Sequence, residues 1–385
     1  MTAVGPGTRV LALRGADRLH RLHDVLSGGR AFVVAAPTAL RRAGVADLLP
    51  AGTATFSAFT PNPTTQQALA AARARERHGA GVVVGIGGGS AMDVAKAARA
   101  LPGDADAAAA VLARRTRPAA DRPRLVLVPT TAGTGSEVTS FATLYDGPRK
   151  LSLDDDRVRA EVAAVDPGLL ATCPAAVLWS GALDTVAHAI ESLWSVRSGP
   201  GSRSDAVRAL ERIAPVLGDP AAVGRPDGWA ALSDAGTLAG RAIDRTRTTA
   251  AHALAYPLTA HLGFPHGYAV AVTLRWLVAV VEAGGDAVCD PRGRAVPRSA
   301  VAAAADALGV DGGAGVAALL DRVLARCDVA GVPARRVEPL LDRLVGEGLA
   351  SERVGGTPVH LSPEQVRVRL RRSLAELRER AEPGA

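Results

Sequence analysis

Gly81-Val-Val-Val-Gly-Ile86 runs directly into Gly87-Gly-Gly-Ser90 and then Ala91-Met-Asp-Val-Ala-Lys-Ala-Ala-Arg-Ala-Leu101. The first piece is an unbroken apolar run of strand length. The last has the composition of a helix. A strand that turns on glycines into a helix lets the backbone approach an anion closely. The helix start then offers unpaired N–H groups and the positive end of its dipole. The spacing is neither GxGxxG nor a Walker pattern, so the stretch indicates phosphate binding without naming a ligand.

Similar units lie on either side. Ala31-Phe-Val-Val-Ala-Ala36 reads as a buried strand, and Thr64 to His78 as a helix after the Pro61-Asn-Pro63 turn. Leu125-Val-Leu-Val128 reads as another strand, leading into Pro129-Thr-Thr-Ala-Gly-Thr-Gly135. Alternating buried strands and helices predict a parallel sheet with helices on both faces. Thr130, Thr131, Thr134 and Ser136 form a second hydroxyl-rich loop beyond a strand end, where open α/β sheets bind ligands. From Pro174 onward, Ala/Leu/Val/Arg helical patterns dominate. The expected domains are therefore an α/β dinucleotide-binding domain over 1–171 and a helical metal-binding and substrate domain over 172–385. Ser198 to Ser204 and Arg353 to Pro358 read as loops, and a charged helix is expected to end near Glu382.

The second half carries the chemistry. In Gly181-Ala-Leu-Asp-Thr-Val-Ala-His-Ala-Ile-Glu191, Asp184 and His188 sit four residues apart, on one helix face. His252 opens Ala-His-Ala-Leu-Ala-Tyr-Pro257, and His266 follows the helix stop expected at Gly263. A single histidine of this kind is often only a packed core residue. Three of the chain's eight histidines in two short motifs, with a carboxylate, suit a first-row divalent metal such as Fe²⁺ or Zn²⁺.

Composition limits the alternatives. The 385 residues are 48% hydrophobic and 22% charged, which is globular, and only 3% aromatic, so the core must be aliphatic. The net charge of +7 is scattered, with no long like-charge block and no basic–aromatic stripe, which argues against a nucleic-acid partner. Cys173, Cys289 and Cys327 are odd in number and far apart, pointing to a reducing compartment rather than a disulfide framework. The start, Met1 to Gly7, has no basic-then-apolar pattern, and no apolar run reaches membrane length. The expectation is a cytoplasmic protein with no membrane partner.

Taken together, these motifs resemble the iron-containing alcohol dehydrogenase family, related in fold to glycerol dehydrogenase and dehydroquinate synthase. The matching pieces are GGGSxxDxAK at Gly87–Lys96, PTTxGTGSE at Pro129–Glu137, DxxxH at Asp184–His188, and the pair His252 and His266. The resemblance implies a Rossmann-like parallel-sheet domain followed by an all-α domain. It implies metal ligation by Asp184, His188, His252 and His266, which would form the catalytic centre, with iron or zinc as the metal. It implies NADPH or NADH with its pyrophosphate on Gly87, Gly88, Gly89 and Ser90. Asp93, Thr130, Thr131, Thr134, Ser136 and Lys150 would be further cofactor contacts. A homodimer is also expected.

Two departures stand out. Many relatives carry another histidine four residues after the third ligand, where this chain has Tyr256. Many NAD-preferring relatives carry an Asp at the end of the first long strand, where this chain has Ala35-Ala-Pro37, with Arg41 and Arg42 beyond. Losing that carboxylate removes repulsion toward a 2′-phosphate and favours NADPH. Thr139–Tyr145, Glu191–Val196, Arg247–Thr259 and Gly263–Thr273 resemble the family's phosphonoacetaldehyde reductases. That implies reduction of a small anionic aldehyde, phosphonoacetaldehyde, to 2-hydroxyethylphosphonate. A guanidinium suits such an anion; Arg247 is the preferred partner, with Arg149, Lys150 and Arg197 as others. With no histidine at 256, water, a hydroxyl relay, Tyr256 or His261 would supply the proton. Other readings are a short-chain alcohol, lactaldehyde or propanediol dehydrogenase, a dehydroquinate-synthase-like lyase, and a non-catalytic binding protein. The Asp-plus-three-His set argues against the lyase.

Overall fold

The computed structural model describes residues 7–15, 17–26, 29–147, 149–327 and 334–381. The chain divides into two compact units, Met1–Cys173 and Pro174–Ala385.

In the first unit the order is β1 Arg9–Ala12, α1 Arg18–Leu26, β2 Ala31–Val34, α2 Pro37–Ala43, β3 Ala54–Phe56 and α3 Thr65–His78. It continues with β4 Val82–Gly87, α4 Gly89–Ala100, α5 Ala105–Leu112, β5 Arg124–Pro129, β6 Phe141–Asp146, β7 Arg149–Asp154 and β8 Val162–Val165. Six strands form one parallel sheet, in the order β1-β8-β5-β4-β2-β3. β6 and β7 form a separate antiparallel hairpin. β4 lies between β2 and β5, and every residue in it is buried. Its unbroken apolar run follows from cover on both faces. Val82, Val84 and Ile86 pack with Leu22 and Leu26 of α1 and Leu40 of α2. Val83 packs with Ala71 of α3 and Met92 and Ala95 of α4. Helix α3 starts at a capping box formed by Thr64 and Gln67 and stops at Gly79 in the left-handed conformation.

The second unit opens with α6 Ala175–Trp194, α7 Pro200–Gly218, α8 Pro226–Thr246, α9 Ala250–Leu262 and α10 His266–Ala283. Further helices span Val296–Leu308, Gly312–Leu324, Ala334–Val337, Leu341–Leu349 and Pro363–Ala381. Every residue of α6 from Gly181 to Trp194 is buried, and α7, α8 and α10 pack around it. No single helix among the described residues is long and apolar enough to cross a membrane.

Two stretches expected as loops are not loops throughout. Most of Ser198–Ser204 is the first turn of α7, with Pro200 at its start. The sequence Gly-Pro-Gly looks like a break, but proline fits the first helical turn, where no N–H is required. Arg353 to Gly356 belongs to a 3₁₀ turn, Glu352–Gly356. The expected helix end at Glu382 lies outside the described residues.

Candidate metal centre and nucleotide loops

The metal candidates come from three elements of the second unit. Asp184, His188 and Glu191 line one face of α6, at positions i, i+4 and i+7. His252 lies in the first turn of α9, and His266 is the first residue of α10. Gly267 explains how α10 comes so near: a Cβ there would lie 1.8 Å from the Ser180 carbonyl oxygen of α6.

The side chains converge on one oxygen. Asp184 Oδ1 is 3.1 Å from His252 Nε2, 3.6 Å from His188 Nε2 and 3.8 Å from His266 Nε2. Donor atoms of Asp184, His252 and His266 all lie within 4.8 Å of one another. His188 flanks this trio, its ring stacked on that of His252 with centroids 4.6 Å apart. Tetrahedral bonds of about 2.1 Å place donors roughly 3.4 Å apart, a spacing that the separations of 3.1, 3.6 and 3.8 Å from Asp184 Oδ1 match. Three imidazoles and a carboxylate are donors that iron and zinc accept.

The electrostatics agree with a cation site. Burial alone would raise the Asp184 pKa, but the surrounding His188, His252 and His266 hold it far below the usual carboxylate range. Burial alone would lower His252, but Glu191 and Asp184 lift it to about 10. Burial likewise works against a charged Glu191, and His252 and Thr249 overcome it, so its pKa is lowered. Charge on His252 is therefore favoured beside the two carboxylates, and a cation at Nε2 would take the place of the proton there.

Glu191 was not singled out from the sequence, although it ends the quoted metal-helix run. It is fully buried. Its Oε1 accepts from Thr249 N–H at 3.0 Å, the Thr249 hydroxyl at 2.6 Å and Ala251 N–H at 2.9 Å. Its Oε2 meets His252 Nδ1. The available signal was spacing: Glu191 is seven residues after Asp184 on the same helical face.

Among the proposed substrate residues, Tyr256 contacts one of the metal candidates. Its ring stacks on His266 with centroids 5.8 Å apart and planes 6° from parallel. Arg247 closes α8 with φ 61° and ψ 175°, a conformation that non-glycine residues rarely adopt. Its guanidinium turns back to the Asp244 carbonyl and lies 3.8 Å from the Asp244 carboxylate. His261 is bonded to Glu347 at 2.7 Å. Arg149 and Lys150 belong to the first unit, on β7, where Arg149 is exposed and Lys150 half-buried.

The nucleotide motifs meet at the ends of adjacent strands. β4 and β5 are in register to their last residues, Gly87 opposite Pro129. Thr130 N–H donates to Gly87 O at 2.9 Å, which joins the two loops. A Cβ on Gly88 would come within 3.1 Å of Thr131 Oγ1, and one on Gly89 within 3.0 Å of Thr134 Cγ2. Thr130, Thr131, Thr134 and Ser90 are half-buried at this edge. Asp93 and Ser136 engage each other. Ser136 Oγ donates to Asp93 at 2.7 Å and accepts from buried Lys96 at 2.9 Å, while Thr143 N–H donates to Asp93 at 3.0 Å. Burial raises the Asp93 pKa, an effect that Lys96 opposes.

Comparison with known proteins follows this division. Residues 11–167 match the family model for iron-containing alcohol dehydrogenase, and residues 179–325 match the C-terminal model of the same family. A phosphonoacetaldehyde reductase of Streptomyces viridochromogenes is 43% identical over 233 residues, 57% of this chain. The chain spans 58% of the length of that relative. The crystal structure of sulfoacetaldehyde reductase from Bifidobacterium kashiwanohense in complex with NAD+ superposes with a TM-score of 0.81 at 25% identity, covering 97% of both chains. An iron-containing alcohol dehydrogenase from Thermotoga maritima gives 0.79 at 27% identity, covering 96% of this chain and 98% of that one.

Proposed function

The chain belongs to the iron-containing alcohol dehydrogenase family, and from that premise we propose that it reduces a small anionic aldehyde to its primary alcohol at a divalent metal, with NADPH or NADH. The proposed substrate is phosphonoacetaldehyde, which takes up a hydride and a proton to give 2-hydroxyethylphosphonate. The observation that carries the proposal is the convergence of three imidazole nitrogens on Asp184 Oδ1.

When bound, the cation supplies Lewis acidity and the nicotinamide supplies the hydride. Asp184, His188, His252 and His266 would hold the metal. His266 is the most open of them, with 39% of its side chain exposed. Gly87, Gly88, Gly89 and Ser90 would hold the pyrophosphate, where a side chain on Gly88 or Gly89 would press on the threonine loop. With Nε2 facing the metal position and Nδ1 held by buried Glu191, His252 is poorly placed to serve as the reaction's acid. Tyr256, beside the open ligand, is a candidate, with water as the other.

Two relatives support the substrate class. One is named for phosphonoacetaldehyde and the other for sulfoacetaldehyde, both two-carbon aldehydes bearing a tetrahedral oxyanion. Arg247 is the proposed anion partner, and it must exchange Asp244 for the substrate. The decisive experiment is a steady-state panel of phosphonoacetaldehyde and propanal with each cofactor, on iron-loaded and zinc-loaded enzyme. The expected result is a kcat/KM at least tenfold higher for the phosphonate. Equal efficiency would favour a general short-chain alcohol dehydrogenase, and no metal-dependent reduction would overturn the reading.

A further inference from the structure

We propose that Glu191 is the positioning residue of the metal centre: its carboxylate caps the first turn of α9 and fixes the His252 tautomer that leaves Nε2 facing Asp184. The inference rests on the metal-dependent reading above.

The start of α9 has a complete hydrogen-bond account that runs through Glu191. A helix begins with N–H groups that have no partner within the helix. The cap residue of α9, Thr249, provides no side-chain bond to its own helix. Glu191 replaces it from α6. It takes Thr249 N–H at 3.0 Å, Ala251 N–H at 2.9 Å and His252 N–H at 3.4 Å. The remaining donor, Ala250 N–H, goes to Thr357 Oγ1 at 3.1 Å. A buried carboxylate is well placed here, because the helix start carries positive partial charge.

The same carboxylate reads the histidine ring. Its second oxygen meets Nδ1 of His252. An ionised carboxylate only accepts, so Nδ1 must carry the hydrogen. Nε2, which faces Asp184 Oδ1 at 3.1 Å, is then the nitrogen available to a cation. The grip extends outward. Trp194 Nε1 donates to Thr249 Oγ1 at 2.9 Å, and that hydroxyl donates to Glu191. This fixes the chain two residues beyond Arg247, whose backbone adopts φ 61°.

Glu191→Gln separates the two roles. The amide oxygen still accepts from Thr249 and Ala251, so the cap survives. The amide nitrogen donates to Nδ1 and drives the hydrogen to Nε2, where it blocks the metal. The metal-free variant should still fold, with a Tm below the parent's, because the amide no longer offsets the charge on the buried His252 ring. Its affinity for Zn²⁺ alone should fall by about ten- to a hundredfold. Equal Zn²⁺ affinity in variant and parent would overturn the role of Glu191 while leaving the metal centre intact. Failure of the parent to take up zinc would instead overturn the metal reading. If the variant does not fold, ¹⁵N-histidine spectra of the zinc-loaded parent decide the matter. His252 should show protonated Nδ1 and coordinated Nε2; the reverse assignment would refute the proposal.

Discussion

Gly267→Ala tests whether the contact between α6 and α10 builds the metal site. The added methyl would begin 1.8 Å from the Ser180 carbonyl oxygen, and side-chain carbons essentially never approach within 3.0 Å. The obstacle is backbone inside the central helix, so it cannot swing aside. Relief requires the start of α10 to back away by about 1.2 Å, the difference between those distances, with an overpacking cost of about 1–3 kcal/mol. His266 is the neighbouring residue on that turn. Movement away from α6 carries its Nε2 from 3.8 Å toward roughly 5 Å from Asp184 Oδ1, whereas two ligands with bonds of about 2.1 Å cannot exceed about 4.2 Å. The variant should therefore fold with a lowered Tm and lose Zn²⁺ affinity by at least about a hundredfold, beyond the range of a supporting-residue change. Chelator competition reads the affinity and differential scanning calorimetry reads the Tm. Unchanged zinc binding with an unchanged Tm would refute the argument, because the contact would then be too soft to set ligand geometry.

Removal of single ligands should separate affinity from stability. His266→Ala, at the exposed ligand, should lose metal by elemental analysis while metal-free stability changes by less than about 0.5 kcal/mol. His252→Ala should lose metal and also about 3–5 kcal/mol in denaturant unfolding, because Glu191 is left buried without its partner. For pH, His252 has a folded pKa of about 10, above its unfolded value of 6.5. Its contribution to metal-free stability is complete below pH 6.5 and is lost as pH rises toward 10, by up to about 1.4 kcal/mol per pH unit. The lowered pKa values of Asp184 and Glu191 act in the opposite sense, and their contribution is lost as pH falls through the acid range. The Tm of metal-free protein should thus drop between pH 7 and 9 while that of zinc-loaded protein holds; parallel curves would contradict this. NADPH should be used at least as well as NADH, given Ala35-Ala-Pro37 at the end of β2; a strong NADH preference in kcat/KM would count against it. Arg247→Ala should lower kcat/KM for phosphonoacetaldehyde about ten- to a hundredfold and leave propanal nearly unchanged, corresponding to about 1.5–3 kcal/mol for a charge-assisted pair. Equal losses would assign Arg247 to the fold.

Much of this was legible because burial on both faces gives a strand a continuous apolar run. That applies to Val82–Ile86 and Leu125–Val128, and the glycine loop between β4 and α4 followed from them. β1 and β3 escaped because they are the exposed or half-buried edges of the sheet and carry no continuous apolar run, and β8 because Val162-Ala-Ala-Val165 reads as readily as helix. The β6–β7 hairpin escaped because its strands mix apolar and charged residues, as in Arg149-Lys-Leu-Ser-Leu-Asp154. For the proposed metal ligands, residue type and helical spacing joined Asp184 to His188. Only tertiary packing joins them to His252 and His266. Asp93 and Ser136 show the limit of motif reading. A motif marks them as belonging together, but it does not reveal that they bond to each other.

Asp184, His188 and Glu191 interrupt a helix that is buried continuously from Gly181 to Trp194. Burying two carboxylates there costs solvation that leucine would not. The hydrogen-bond account shows how the structure tolerates them. Glu191 is neutralised by the start of α9 and by His252, and Asp184 by three imidazoles. The compensation is not local to α6; it requires α9 and α10 to dock in register. The same contacts that make the buried acids tolerable therefore bring His252 and His266 to the site. Docking of α9 and α10 against α6 is thus what brings donor atoms of Asp184, His252 and His266 within 4.8 Å of one another.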